Sequence, residues 1–216
     1  MTMVKICGIT REEDALAAAK AGVDLLGFVF YPPSPRNIDP PQARKIISTL
    51  VQAGYPVRFV GVFVNESENN IKEIASRCRL DYVQLHGSEP PQLVSRLAQD
   101  GLSVIKAVHI ISNDSLIEMT RYTPSLYLLD SFVPGSLGGS GKGFNWKIAQ
   151  RAKDRGSFLL AGGLTPKNVA AAVRTVQPWG VDVSTGVESS PGKKDHDKIR
   201  QFIARAKEDH RREDAQ

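Results

Sequence analysis

The sequence has few cysteines and no long apolar run, and each shortage excludes a class of protein. Two cysteines among 216 residues cannot supply the disulfide framework that small secreted domains need. No segment approaches the ~18 consecutive apolar residues of a membrane-spanning helix. The first residues, Met1-Thr-Met-Val-Lys5, lead into an apolar run without the features of a signal peptide. We therefore expect a cytoplasmic protein with no membrane partner.

Three kinds of functional pattern are also missing. The net charge of +5 comes without a basic stripe interleaved with aromatics, and aromatic residues make up only 7% of the chain, so we expect no nucleic-acid partner. The four histidines and two cysteines show no metal-ligand spacing, which predicts no metal site. No serine or cysteine lies in a nucleophile-elbow pattern. The mild positive charge instead suits a small anionic substrate.

What the sequence does contain is a regular alternation of short apolar runs and longer segments with helical periodicity. The runs are apolar throughout, as in strands covered on both faces. They predict strands at Val4–Cys7, Leu25–Phe30, Phe59–Val64, Tyr82–His86, Val104–Val108, Tyr127–Asp130, Phe158–Ala161 and Val181–Ser184. The segments between them predict helices at Glu12–Ala21, Pro41–Ala53, Asn69–Arg79, Pro91–Asp100, Ser115–Arg121, Trp146–Asp154, Lys167–Thr175 and Lys194–Glu208.

Eight such units predict a single α/β domain, a (β/α)8 TIM barrel over residues 1–208, followed by a charged, frayed tail at 209–216. The competing architecture is an open doubly wound sheet. It is disfavoured because no Gly-x-Gly-x-x-Gly motif follows the first strand. Side chains two apart on a strand share a face, so in a closed barrel we expect Lys5 and Asp182 to pair inside the first and eighth strands.

Local signals predict where some helices begin and end. Thr10 and Thr165 are predicted helix N-caps, the second with Pro166 at the first helical position. Gly22 and Gly101 are predicted to terminate helices. Cys78 is predicted to fill the buried face of a helix.

Two reactive side chains end predicted strands. Cys7 ends the first strand and Asp130 the sixth. In an all-parallel barrel the C-terminal strand ends form the ligand-binding face, so we expect both residues at the barrel mouth. An acid and a thiol there suit a reaction that needs one proton donor and one proton acceptor. The alternatives are a small buried thiol and an aspartate that caps a loop.

Glycine-rich segments follow the last three predicted strands, at 138–143, 161–166 and 184–192. Glycine lets backbone N–H groups approach a phosphate, and barrel enzymes commonly bind phosphate in the loops after strands seven and eight. A single glycine pair is usually only a turn. We expect the phosphate ligands to be Gly162, Gly163, Ser184, Thr185 and Gly186.

Two further residues are candidates for substrate binding. Arg36 lies in a loop with three prolines after the second strand. Its planar guanidinium group can donate two parallel hydrogen bonds to a carboxylate of the substrate. The alternative is an arginine that forms an ion pair with a nearby acid of the protein. His86 ends the fourth strand, with Gln84 on the same face, and the alternative is a structural histidine. His109 has no comparable setting in the sequence.

Taken together, these segments resemble phosphoribosylanthranilate isomerases of tryptophan biosynthesis. The resemblance runs from the first predicted strand to the eighth. It is carried by the stretches Val4-Lys-Ile-Cys-Gly-Ile-Thr10, Gly27-Phe-Val-Phe30, Ser34-Pro-Arg36, Val60-Gly-Val-Phe-Val-Asn65, Val83-Gln-Leu-His-Gly87, Leu128-Leu-Asp130, Gly138-Gly-Ser-Gly-Lys142, Phe144-Asn-Trp146, Leu160-Ala-Gly-Gly-Leu164 and Asp182-Val-Ser-Thr-Gly-Val-Glu188.

The resemblance implies an Amadori rearrangement of N-(5-phosphoribosyl)anthranilate to 1-(2-carboxyphenylamino)-1-deoxyribulose 5-phosphate, with no cofactor. It implies Asp130 as general acid and Cys7 as general base, with Lys5 favouring the thiolate. It also implies that Arg36 binds the anthranilate carboxylate. We expect a small phosphoribosyl substrate as the only ligand and a monomer or homodimer.

Two other functions remain in competition at this point. One is another phosphate-binding barrel of tryptophan or histidine biosynthesis, which would rely on different acid–base groups. The other is a non-catalytic phosphosugar-binding barrel, which would usually lack the catalytic groups. The pair formed by Cys7 and Asp130 argues against both.

Overall fold

The fold is described from a computed structural model that covers residues 1–110, 112, 114–130 and 146–208, with the Lys147 side chain excepted. Eight parallel strands close into a barrel in the order β1 to β8. Their bounds are β1 Met3–Cys7, β2 Leu25–Val29, β3 Arg58–Phe63, β4 Tyr82–Leu85, β5 Ser103–His109, β6 Leu126–Asp130, β7 Phe158–Leu160 and β8 Gly180–Val183. The predicted single (β/α)8 barrel is confirmed.

A helix follows each strand and covers the outside of the barrel. The helices are α1 Glu12–Lys20, α2 Pro40–Gln52, α3 Glu68–Cys78, α4 Pro91–Gln99, α5 Ser115–Met119, α6 Trp146–Arg151, α7 Val169–Val176 and α8 His196–Lys207. Apolar residues of strands and helices form one large core between the two layers, and Cys78 is fully buried there, as predicted. None of these helices is long and apolar enough to cross a membrane.

Two predicted helix starts are wrong. Arg11, not Thr10, precedes α1, because the Thr10 hydroxyl donates to the carbonyl of Gly192 instead. α7 follows Asn168, since residues 166–168 form a turn in which the Thr165 hydroxyl accepts from the N–H of Lys167. Gly22 and Gly101 do follow helix ends and have left-handed φ angles of 84° and 83°, as predicted.

The helix predicted at Lys194–Glu208 begins at His196 in the structure, two residues later than predicted, because a small hairpin precedes it. Strand β9 (Glu188–Ser190) pairs antiparallel with β10 (Lys193–Lys194). α8 starts after Asp195, whose carboxylate accepts from the N–H of Lys198. Lys194 therefore lies in a strand beside the barrel mouth rather than on a helix.

The register between β1 and β8 closes the barrel and aligns the residues that lead to its mouth. Lys5 lies opposite Asp182, and Ile6 opposite Val183. The Lys5 ammonium lies 2.8 Å from Asp182 Oδ1, and the lysine is fully buried. This is the predicted pair, and it neutralises two charges that would be costly to bury separately.

Candidate active site

A cavity of about 290 Å³ opens at the C-terminal ends of the strands. Within the described residues, it is lined from β1, β2, β3, β4, β6, β7 and β8 or the loops that follow them. Seven of the residues predicted for the site line it: Cys7, His86, Asp130, Gly162, Gly163, Ser184 and Thr185. The structure thus brings the predicted acid, thiol and phosphate loops together at one end of the barrel.

Cys7 lies at the end of β1, and close packing around it depends on a glycine. A Cβ on Gly27 in neighbouring β2 would lie 2.9 Å from Cys7 Sγ and 3.3 Å from Lys5 Cε, so only glycine leaves room for both side chains. Burial raises the pKa of the Cys7 thiol; the Lys5 charge lowers it, Asp182 raises it, and the net pKa is raised. Lys5 favours the thiolate as expected, but burial outweighs this effect.

Asp130 faces two histidines. His86 Nε2 lies 3.4 Å from Asp130 Oδ2, and His109 Nδ1 lies 3.9 Å from the same oxygen. The two rings are 5.9 Å apart. His109 is the last residue of β5 and pairs in register with Asp130, so the expectation that His109 has no comparable setting is wrong.

A buried amide orients His86. Gln84 Nε2 lies 2.9 Å from His86 Nδ1. If the amide donates, Nδ1 accepts and the ring proton sits on Nε2, the nitrogen that faces Asp130. Gln84 is almost fully buried and lines the cavity, and its Oε1 has no hydrogen-bond partner in the described part of the chain.

Arg36 lies at the edge of the cavity and is not among the described residues that line it. Its Nε and Nη2 atoms donate to Glu188 Oε1 and Oε2 at 2.9 and 2.6 Å. Burial raises the pKa of Glu188, but the hydrogen bonds and charges of Arg36 and Lys194 lower it more, so the net pKa is lowered. The arginine therefore pairs with an acid, one of the two alternatives that the sequence left open, and its Nη1 has no hydrogen bond to another described residue.

The loops after β7 and β8 meet beside Cys7. Gly162 and Gly163 have left-handed φ angles of 84° and 65°, which side chains rarely adopt. A Cβ on Gly186 would overlap the carbonyl oxygen of Leu164, so glycine is required where the two loops touch. Gly186 supports this contact and is not among the residues that line the cavity.

Two predicted segments lie outside the described residues: the glycine-rich segment 138–143 and the charged tail 209–216. Among the residues that the structure describes, no group of three or more His, Cys, Asp or Glu side chains is placed to hold a metal ion. Glu188 and Lys194 also neighbour the site, and the only sequence signal that could have suggested them is their position in the last loop.

Comparison with known proteins decides which barrel family this is. The sequence profile of N-(5'-phosphoribosyl)anthranilate isomerases matches residues 4–205. The chain belongs to this family. It is 51% identical to the N-(5'-phosphoribosyl)anthranilate isomerase of Trichlorobacter lovleyi and 50% identical to that of Geobacter sulfurreducens; each alignment covers 96% of this chain and 99% of the relative.

Solved structures of the family agree with the fold. The crystal structure of the Thermotoga maritima phosphoribosylanthranilate isomerase has a TM-score of 0.89 at 47% identity, covering 96% of this chain and 99% of that one. A family structure in complex with reduced 1-(o-carboxyphenylamino)-1-deoxyribulose 5-phosphate has a TM-score of 0.85 at 44% identity, with the same coverage. The expected isomerase of tryptophan biosynthesis is confirmed.

Proposed function

We propose that this chain isomerises N-(5'-phosphoribosyl)anthranilate with Asp130 as general acid and Cys7 as general base. Family membership supports the reaction. The residue roles rest on one observation: a carboxyl and a thiol from different strands line the same cavity beside two glycine-containing loops. An Amadori rearrangement needs a proton delivered to the furanose ring oxygen and another removed from C2 of the sugar.

Asp130 is proposed to open the ring. Delivery of a proton requires its acid form, and the negative phosphate and carboxylate of a bound substrate favour that form. His86, held by Gln84, places a ring nitrogen 3.4 Å from the Asp130 carboxyl, which orients the carboxyl within the cavity. His86 also lines the cavity and is proposed to contact the substrate.

Cys7 is proposed to remove the proton from C2 of the opened sugar. Only the thiolate can act as a base, and the buried Lys5 ammonium next to it favours that form. Because the net pKa of the thiol is raised, a small fraction is ionised at neutral pH, and the thiolate that does form is a stronger base. The acid and the base suffice for the rearrangement, so we propose that no cofactor takes part.

The two anionic ends of the substrate are assigned to different groups at the mouth. Backbone N–H groups of Gly162, Gly163 and the Ser184–Gly186 segment are proposed to bind the phosphate. Arg36 is proposed to bind the anthranilate carboxylate through the part of its fork that Glu188 leaves available. The cytoplasmic location and the choice between monomer and homodimer stay predictions.

Substitution of the two proposed catalytic groups tests the assignment. We expect Cys7→Ser and Asp130→Asn each to lower kcat ~10²–10⁴-fold, with a smaller change in substrate affinity. The measurement is the fluorescence decrease as freshly generated phosphoribosylanthranilate is consumed. Cys78→Ser is the matched control, because that thiol is buried in α3 away from the cavity, and it should retain activity. Turnover near that of the parent in either active-site variant would refute the roles.

A further inference from the structure

Lys194 is a buried cation next to Ser184, a residue that lines the cavity. Its side chain is fully buried, and its ammonium lies 2.9 Å from Glu188 Oε1. It also lies 3.3 and 3.5 Å from the carbonyl and hydroxyl oxygens of Ser184. A lysine is almost never buried so completely unless it is paired. The proposed chemistry assigns it no contact with the substrate.

The hairpin fixes this position from outside the barrel. The backbone N–H of Lys194 donates to Asp14 Oδ2 at 3.1 Å, and the next N–H, of Asp195, donates to the carbonyl of Val187 at 2.8 Å. Lys194 is therefore held between the start of α1 and the last loop of the site. Its ammonium contacts Glu188 and Ser184, and Lys194 is not among the described residues that line the cavity.

Glu188 consequently lies between two cations. Its Oε1 accepts from both Arg36 Nε and Lys194 Nζ, at 2.9 Å each, and its Oε2 accepts from Arg36 Nη2. Arg36 and Glu188 alone would carry no net charge, and a neutral pair attracts an incoming carboxylate weakly. With Lys194 the three side chains carry a net charge of about +1, counted from their usual ionisation states.

We propose that Lys194 is a positioning residue for the substrate carboxylate. It holds Glu188 against Arg36, and it restores the positive charge that Glu188 would otherwise cancel, so that Arg36 can take a second carboxylate. The three side chains Arg36, Glu188 and Lys194 form a charge triad of which only Arg36 meets the ligand. This inference rests on the proposed role of Arg36.

Burial sets a limit on how this triad can be altered. Burial lowers the pKa of Lys194, the Glu188 carboxylate raises it, and the net pKa is lowered. Removal of Glu188 alone would leave a buried ammonium without its counter-ion, which is strongly unfavourable. A variant that removes both charges keeps the net charge near +1 and leaves no buried ion unpaired.

The test compares Lys194→Met with the double variant Lys194→Met/Glu188→Gln. The readouts are the Kd for reduced 1-(o-carboxyphenylamino)-1-deoxyribulose 5-phosphate, by calorimetry, and kcat and KM. We expect Lys194→Met to weaken binding about tenfold, the effect of one unit charge several ångströms away in a partly solvated site, and to change KM more than kcat. The double variant should recover to within about threefold of the parent.

A purely structural lysine gives a different pattern. If Lys194 only fills space and hydrogen-bonds Ser184, the double variant will bind as weakly as Lys194→Met or more weakly, and the proposal is overturned. If Lys194→Met does not fold, as judged by circular dichroism, Lys194→Gln takes its place in both variants, because glutamine keeps a hydrogen-bond donor without the charge. Loss of the charge must then still weaken binding about tenfold, and an unchanged Kd for Lys194→Gln overturns the proposal.

Arg36→Met separates this inference from the function on which it rests. If Arg36→Met leaves the Kd unchanged, the carboxylate role of Arg36 is wrong. If Arg36→Met weakens binding but Lys194→Met does not, the role of Arg36 stands and only the role of Lys194 fails.

Discussion

Replacement of Glu89 by glutamine should destabilise the protein severely, although the two side chains have nearly the same shape. Glu89 is 2% exposed and follows His86 in the loop after β4. Its carboxylate accepts from Lys106 Nζ at 2.7 Å and from the backbone N–H groups of Asn65 and Gly87 at about 3 Å. Burial raises the pKa of Glu89, but these partners lower it more, and the net pKa is lowered.

The magnitude follows from what the substitution leaves behind. A glutamine oxygen can still accept from the two backbone N–H groups, so those bonds survive. Lys106, also buried, keeps the carbonyls of Leu85 and Gly87 but loses its only counter-ion among the described residues. Removing one partner of a buried ion pair typically costs about 3–5 kcal/mol, and we expect Glu89→Gln to lie in this range.

Urea unfolding followed by far-ultraviolet circular dichroism measures the change. The double variant Glu89→Gln/Lys106→Met should be less destabilised than the sum of the two single variants, since it leaves no unpaired charge. Glu118→Gln is the control: its partner Arg121 is exposed, so we expect a loss below about 1 kcal/mol. A loss below about 1 kcal/mol for Glu89→Gln, or full additivity in the double variant, would refute the reasoning.

Two further predictions concern acid stability and the phosphate site. Burial raises the pKa of Asp14, but hydrogen bonds from Arg11, the Lys194 N–H and His196 lower it more, so the net pKa is lowered. The carboxylate therefore stabilises the fold above about pH 4, the pKa of an aspartate in the unfolded chain. This stabilisation is lost as the pH falls through the lowered pKa of the folded state. The difference in unfolding free energy between the parent and Asp14→Asn, measured by urea unfolding, should therefore shrink from pH 6 to pH 3, and a constant difference would contradict the prediction. In a crystal soaked with sulfate, we expect the anion on the N–H groups of Gly162–Gly163 and Ser184–Gly186, and an anion elsewhere at the mouth would count against these loops.

The sequence predicts the barrel well because its signals are local. A strand buried on both faces needs a continuous apolar run, and each of the eight runs became a strand of the barrel. The pair of Lys5 and Asp182 is predictable because alternation on a strand and closure of the barrel together determine which side chains point inward. The ends of the elements are less well predicted. β5 extends one residue beyond its predicted end at Val108, and this extra residue, His109, pairs with Asp130.

The parts of the site that escaped prediction depend on contacts distant in sequence. Arg36 and Glu188 are 152 positions apart, and no local pattern tells which acid a loop arginine will meet. The sequence pattern predicts Lys194 as the first residue of a helix. Pairing of β10 with Glu188–Ser190 turned it instead toward the carboxylate of Glu188, and that pairing is tertiary information.

Closure of the barrel between β1 and β8 also determines when the active site can exist during folding. Lys5 and Asp182 are separated by 177 positions, so the ammonium that neighbours Cys7 cannot be buried with its counter-ion until the eighth strand has joined the first. Contacts of such long range form late and slowly. A chain paused before the eighth strand therefore keeps Lys5 in water, and Cys7 lacks the buried ammonium that neighbours it in the complete barrel. The site proposed for proton abstraction is thus complete only when the eighth strand has joined the ring, so its assembly depends on the last part of the barrel to be synthesised.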